Sequence, residues 1–136
     1  YLEDIRRVRT TPKGVQDLIA QTAAADAARY GAVEIWMEQE PGASGLIVID
    51  HYLREVLKGY PFRGVRSTGP KEERAKPVSA AAEAGNVKLV AGSWNHDWLN
   101  QAESFPPLAN DVHDDLIDAA SGAHSQLAGK REMTVY

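Results

Sequence analysis

The stretch NDVHDDLIDAA (110–120) brings Asp111, Asp114, Asp115 and Asp118 together with His113 inside eight positions. Carboxylates this close repel one another unless solvent, a basic partner or a divalent cation sits among them. Hard cations such as magnesium take oxygen ligands and keep waters for reaction, so acidic side chains converging from several elements are what metal-dependent phosphoryl chemistry needs. A second acidic stretch, WMEQE (36–40), supplies Glu38 and Glu40 just after an apolar run. Residues two apart on a strand share a face, so both can point toward one ion if the strand runs that far. Asp114 and Asp118 are four apart and share a helix face, whereas Asp115 is turned about 100° from Asp114. A purely structural account stands beside the metal: acids at a helix amino terminus meet the dipole favourably, and Asp111 fits the cap.

Basic residues gather elsewhere, at Arg6, Arg7 and Arg9 and again at Arg63, Arg66, Lys71, Arg74 and Lys76. Lys71 and Arg74, in GPKEERAKP, either hold phosphates or neutralise charge near a reacting group, or take part in a solvated helix start that pairs Lys71 with Glu72 and Glu73 with Lys76. Arg66 and Arg63 are further phosphate candidates. A formal net charge of -4 argues against a protein that coats nucleic acid through bulk electrostatics, though not against local basic patches. With no cysteine, neither a disulfide framework nor a zinc-thiolate site can form.

Two other motif readings fail. DDLID has the DDxxD form of magnesium-diphosphate enzymes, but those folds are all-helical and this chain has several credible strands. His113–Asp114 has the form of the paired ligand of helical phosphohydrolases, yet His51, His96 and His124 lack a matching spacing. Trp94 and Trp98 are at helical spacing and read as core before base-stacking platforms, as does Trp36 in a strand. Gly42 and Gly45 read as turn and helix-entry residues before a phosphate cradle.

The elements that must position these groups alternate. YLEDIRRVR reads as a partly exposed strand, and Thr11 then caps a helix with Pro12 at its first position that runs to Tyr30 and stops at Gly31. VEIWME (33–38) is a central strand and QEPGASG (39–45) a loop; Leu46, Ile49, Leu53, Val56 and Leu57 trace the inward face of a helix. FRGVRS (62–67) is a strand, followed by a helix that Pro77 interrupts or restarts and Gly85 ends. NVKLVAG is a further strand, WNHDWLNQAESF a short helix with Trp94, Trp98 and Leu99 inward, and VHDDLIDAASGAHSQLAG the last helix. Strands alternating with helices imply a largely parallel sheet with helices on its faces.

At 136 residues, 43% hydrophobic and 25% charged, the chain fits one compact domain with a single core. No apolar run reaches the roughly 18 to 20 residues of a membrane span, and the amino end lacks a signal-peptide core, which points to a cytoplasm.

Taken in order, WMEQEPGASG, STGPKEERAKP, GNVKLVAGSWNHDWLNQAESFP and HDDLIDA resemble the carboxyl-terminal nuclease domain of the large terminase subunit of tailed bacteriophages, across about Leu2 to Leu127. The resemblance implies an α/β, ribonuclease-H-like mixed sheet flanked by helices, with the nuclease domain at 1–128 and a tail at 129–136 that is a loose end or an edge strand. It implies an endonuclease that cuts concatemeric viral DNA with magnesium or manganese, in a bacterial host cytoplasm. Its partners would be double-stranded DNA and, in the parent protein, an ATPase domain, the portal and the small terminase subunit. Glu38 matches the acid at the end of the central strand, with Glu40 as its rival. Asp114 and Asp115 match the late acidic pair; Asp118 is a further metal candidate with a supporting role. Two ions about 4 Å apart would hold the scissile phosphate.

The family normally carries a first metal-binding aspartate on an earlier strand, and no residue of YLEDIRRVR takes its place. The expectation is therefore a domain lacking its first strand. Two alternatives follow: a non-catalytic module of the same fold that binds DNA or packaging partners, or another ribonuclease-H-like nuclease such as a resolvase.

Overall fold

In a computed structural model of the chain, residues 1–105 and 114–132 are described, with backbone alone for 130–132. They gather into two compact units, Val8–Ser67 and Tyr1–Arg7 with Thr68 onward. In place of a single core there are two clusters of buried side chains, one in each unit.

The Val8–Ser67 unit is built as helix, strand, helix, strand. Helix α1 spans Pro12–Tyr30. Thr11 caps it by accepting a hydrogen bond from the Gly14 amide at 3.2 Å, and Pro12 stands at the first helical position, where its missing N–H costs nothing. Gly31, at φ 80°, ends it in a backbone conformation that side-chain-bearing residues avoid. Strand β1 (Ile35–Gln39) pairs in parallel with β2 (Phe62–Arg66), with Ile35 opposite Phe62 and Glu38 opposite Val65.

Helix α2 (Ala43–His51) connects the two strands and runs into a π-helical turn, Tyr52–Val56, closed by the Leu57 amide on the Tyr52 carbonyl at 2.7 Å. The loop after β1 is thus shorter than expected, because α2 begins at Ala43. The inward set also differs. Gly45, Ile49, Tyr52, Val56 and Leu57 turn toward the interior, while Leu46 and Leu53 are exposed. Ala23 of α1, Tyr52 and Leu57 form the core, flanked by Ile19, Ile35, Met37 and Phe62. Alternation along β1 puts Ile35 and Met37 on this core, so Trp36 faces the other way. It is half-buried under the Arg63 guanidinium, 3.9 Å from its ring centre, and is not the core residue its position suggests.

In the other unit, α3 (Lys71–Glu83), α4 (Asn95–Glu103) and α5 (Asp115–Glu132) enclose Ala75, Trp98, Leu116, Ile117 and Ala120. Helix α3 passes through Pro77 without a break. Proline gives no amide to the carbonyl four residues back, but that residue is Glu73 on the exposed face, where water can substitute. YLEDIRRVR and NVKLVAG do not form regular strands: Leu2 and Leu89 make a single parallel bridge, with the Leu2 amide on the Lys88 carbonyl at 2.8 Å and the Val90 amide on the Leu2 carbonyl at 2.9 Å. Trp98 is buried and Trp94 packs beside it, as expected; Leu99 is exposed instead. Helix α5 continues to Glu132, so the first part of the expected tail is helical. Among the described residues no helix is long and apolar enough to cross a membrane.

Candidate functional site: a carboxylate pair around Lys71

Helix α5 opens at Asp114, whose carbonyl accepts the amides of Ile117 at 3.0 Å and Asp118 at 3.1 Å. The Leu116 amide, an orphan donor of the first turn, is taken by the Gln101 side chain of α4 at 3.0 Å. That fixes the rotation of α5: Leu116, Ile117 and Ala120 face the core, and Asp114 and Asp118 lie together on the flank toward α3. Asp111 and His113 lie outside the described residues.

One cation serves both carboxylates. The Lys71 ammonium, at the first position of α3, lies 2.7 Å from Asp114 Oδ1 and 2.7 Å from Asp118 Oδ2. The Arg74 guanidinium, one turn on, reaches the other Asp118 oxygen at 3.8 Å. The two aspartate side chains are only 14% and 18% exposed, so water does little to separate their charges. Hydrogen bonds that the Lys71 ammonium donates to Asp114 first and Asp118 second hold it well above the usual lysine range. Lys71 thus does not pair with Glu72 as a solvated helix start would have it, although Lys76 does pair with Glu73 at 2.6 Å.

The late acidic residues therefore part company as the helical period requires. Asp114 and Asp118 converge; Asp115, on another face, is largely exposed and lies 3.8 Å from Arg7. In the Val8–Ser67 unit, Glu38 is near the carboxyl end of β1 and accepts a hydrogen bond from the Ser67 hydroxyl, which follows β2. Glu40 is exposed just beyond the strand, and Arg66 is exposed opposite Gln39. Neither Lys71 as partner of both aspartates nor Ser67 as partner of Glu38 carries a signal in the sequence, since each pairing joins residues far apart in the chain.

Among the described residues no three or more His, Cys, Asp or Glu side chains gather where they could hold a metal ion. Two carboxylates are nevertheless a normal protein share for magnesium, which keeps several waters and binds substrate phosphates. Asp114 and Asp118 fit that share, since oxygens from both already approach a single positive centre, the Lys71 nitrogen.

A family model described as the terminase RNaseH-like domain matches residues 1–127. No curated protein and no solved structure matches the chain.

Proposed function

The chain belongs to the terminase RNaseH-like domain family, and on that premise we propose that it is the metal-dependent DNA endonuclease module of a phage or prophage packaging terminase. Its substrate is concatemeric viral double-stranded DNA, and its place of action is the bacterial host cytoplasm. Its partners are the ATPase domain of the parent protein, the portal and the small terminase subunit.

The observation that supports this most is the approach of Asp114 and Asp118 to one cation from a poorly exposed helix flank. That arrangement suits a hard cation, and it does not follow from helix capping, which needs only one side-chain acceptor. We assign Asp114 and Asp118 to hold magnesium or manganese. The bound metal would supply charge neutralisation at the scissile phosphate and a water activated for in-line attack. Arg74 adds positive charge beside Asp118 at 3.8 Å, and Lys71 is the cation nearest to any phosphate brought to the pair. By the resemblance, Glu38 is assigned to the same chemistry, with its carboxylate oriented by Ser67; Glu40 and Asp115 are secondary. Arg66 is assigned to backbone phosphates.

The test is plasmid nicking in manganese, by this chain and by a version extended upstream through one more strand. Asp114→Ala with Asp118→Ala is expected to lower the rate by about a hundredfold or more, as loss of a group acting on the transition state does. Nicking that persists in the double variant removes the metal assignment. A folded, DNA-binding protein that never cuts in either form identifies a non-catalytic module instead.

A further inference from the structure

Resting on the assignment of Asp114 and Asp118 to a divalent cation, we propose that Lys71 is a built-in competitor for that cation, which must leave the carboxylate pair before metal can bind. Its single nitrogen is 2.7 Å from an oxygen of each aspartate, so it occupies the space between them that a metal ligated by both would need. The pair needs such an occupant. Two carboxylates on one helix flank, each less than a fifth exposed, repel strongly unless a positive charge lies between them.

Lys71 is also placed to leave. It is 46% exposed at the first turn of α3, where the helix dipole disfavours a cation, and its four-carbon stem can swing the ammonium into water. Arg74 is only 25% exposed and lies 3.8 Å from the other Asp118 oxygen, so positive charge remains beside that carboxylate when Lys71 departs. Metal binding is then an exchange of one cation for another. The observed affinity equals the intrinsic affinity multiplied by the fraction of molecules in which Lys71 is withdrawn.

Manganese binding to the full chain, followed by electron paramagnetic resonance of the free ion, tests this without reference to cutting. Lys71→Gln is expected to tighten binding by about tenfold or more, and Lys71→Arg, which keeps the charge, to leave it near the starting value. The gain should vanish when Asp118→Asn is combined with Lys71→Gln. In the unsubstituted protein, magnesium should shift the Lys71 ammonium resonance in nitrogen-15 spectra, a readout that stands even if a variant folds poorly. Unchanged or weaker manganese binding by folded Lys71→Gln overturns the competitor role while leaving the carboxylate assignment intact, provided Asp118→Asn still weakens binding. If Asp114→Asn and Asp118→Asn both leave manganese affinity unaltered, the metal assignment fails and the competitor role goes with it.

Discussion

Gly45, in the first turn of α2, lies directly against the backbone of Glu40: a Cβ there would collide with the Glu40 carbonyl oxygen and come within 2.8 Å of its carbonyl carbon and 3.1 Å of its amide nitrogen. Backbone cannot rotate aside as a side-chain tip can. Gly45→Ala must therefore shift the start of α2 or the chain at Glu40, at a cost of about 1 to 3 kcal/mol. Urea unfolding measures it. A loss below about 0.5 kcal/mol, the ordinary range of surface changes, would mean that this close approach does not constrain the helix.

Gly64 of β2 meets a softer neighbour. A Cβ on it would lie 2.7 Å from Ile49 Cγ1 and 2.8 Å from Ile49 Cδ1, both side-chain atoms of α2. Gly64→Ala and Ile49→Ala should each destabilise, but the double variant should be less unstable than their sum by about 0.5 kcal/mol or more, because truncating Ile49 opens the room the new methyl needs. Strict additivity in a double-mutant cycle would show that α2 does not rest on this point of the sheet.

The same contacts explain what could be read in the sequence and what could not. Local chemistry was legible: Thr11, Pro12 and Gly31 bound α1 as their side chains dictate, and β1 and β2 stand where β-favouring residues cluster between turns. The phase of α2 was not. GLIVIDHYL is apolar almost throughout, so periodicity leaves the inward face undetermined; the approach of Gly45 to Glu40 settles it and turns Leu46 outward. YLEDIRRVR and NVKLVAG have strand-like composition, yet pairing is decided by neighbours, and only Leu2 and Leu89 meet. At the acidic cluster, spacing alone puts Asp114 with Asp118 and Asp115 apart. The cation between them comes from α3, more than forty residues earlier in the chain, and no local pattern announces it.

Tyr52 gives a pH-dependent prediction. Burial pushes its phenol above the usual value near 10, because the charged form loses its water. A group whose folded value is raised contributes stability that is fully present below its unfolded value and is lost as pH rises through the folded one. Tyr52→Phe should therefore be close to neutral at pH 7 and show a shallower loss of melting temperature above pH 10. Parallel curves for both proteins up to pH 11 would show that the Tyr52 phenol does not ionise differently in the folded state.

Asp118 and Asp115 offer the sharpest comparison, since they are three positions apart on one helix and carry the same charge. Asp118 accepts from Lys71 at 2.7 Å and lies 3.8 Å from Arg74, with little exposure. Asp115 is 63% exposed and has Arg7 at 3.8 Å. Removing the Asp118 charge leaves Lys71 with Asp114 alone and takes the carboxylate away from the poorly exposed Arg74, whereas an exposed pair contributes little. Without divalent metal, Asp118→Asn should destabilise the chain by about 1 to 2 kcal/mol, and Asp115→Asn by less than about 0.5 kcal/mol. Raising salt from about 0.05 to about 0.5 M, roughly threefold on either side of physiological ionic strength, should erase the small Asp115 effect and leave most of the Asp118 effect, because partly buried pairs are screened less. Equal losses for the two variants, both abolished by salt, would place Asp118 among ordinary surface acids and remove the structural basis for distinguishing it from Asp115.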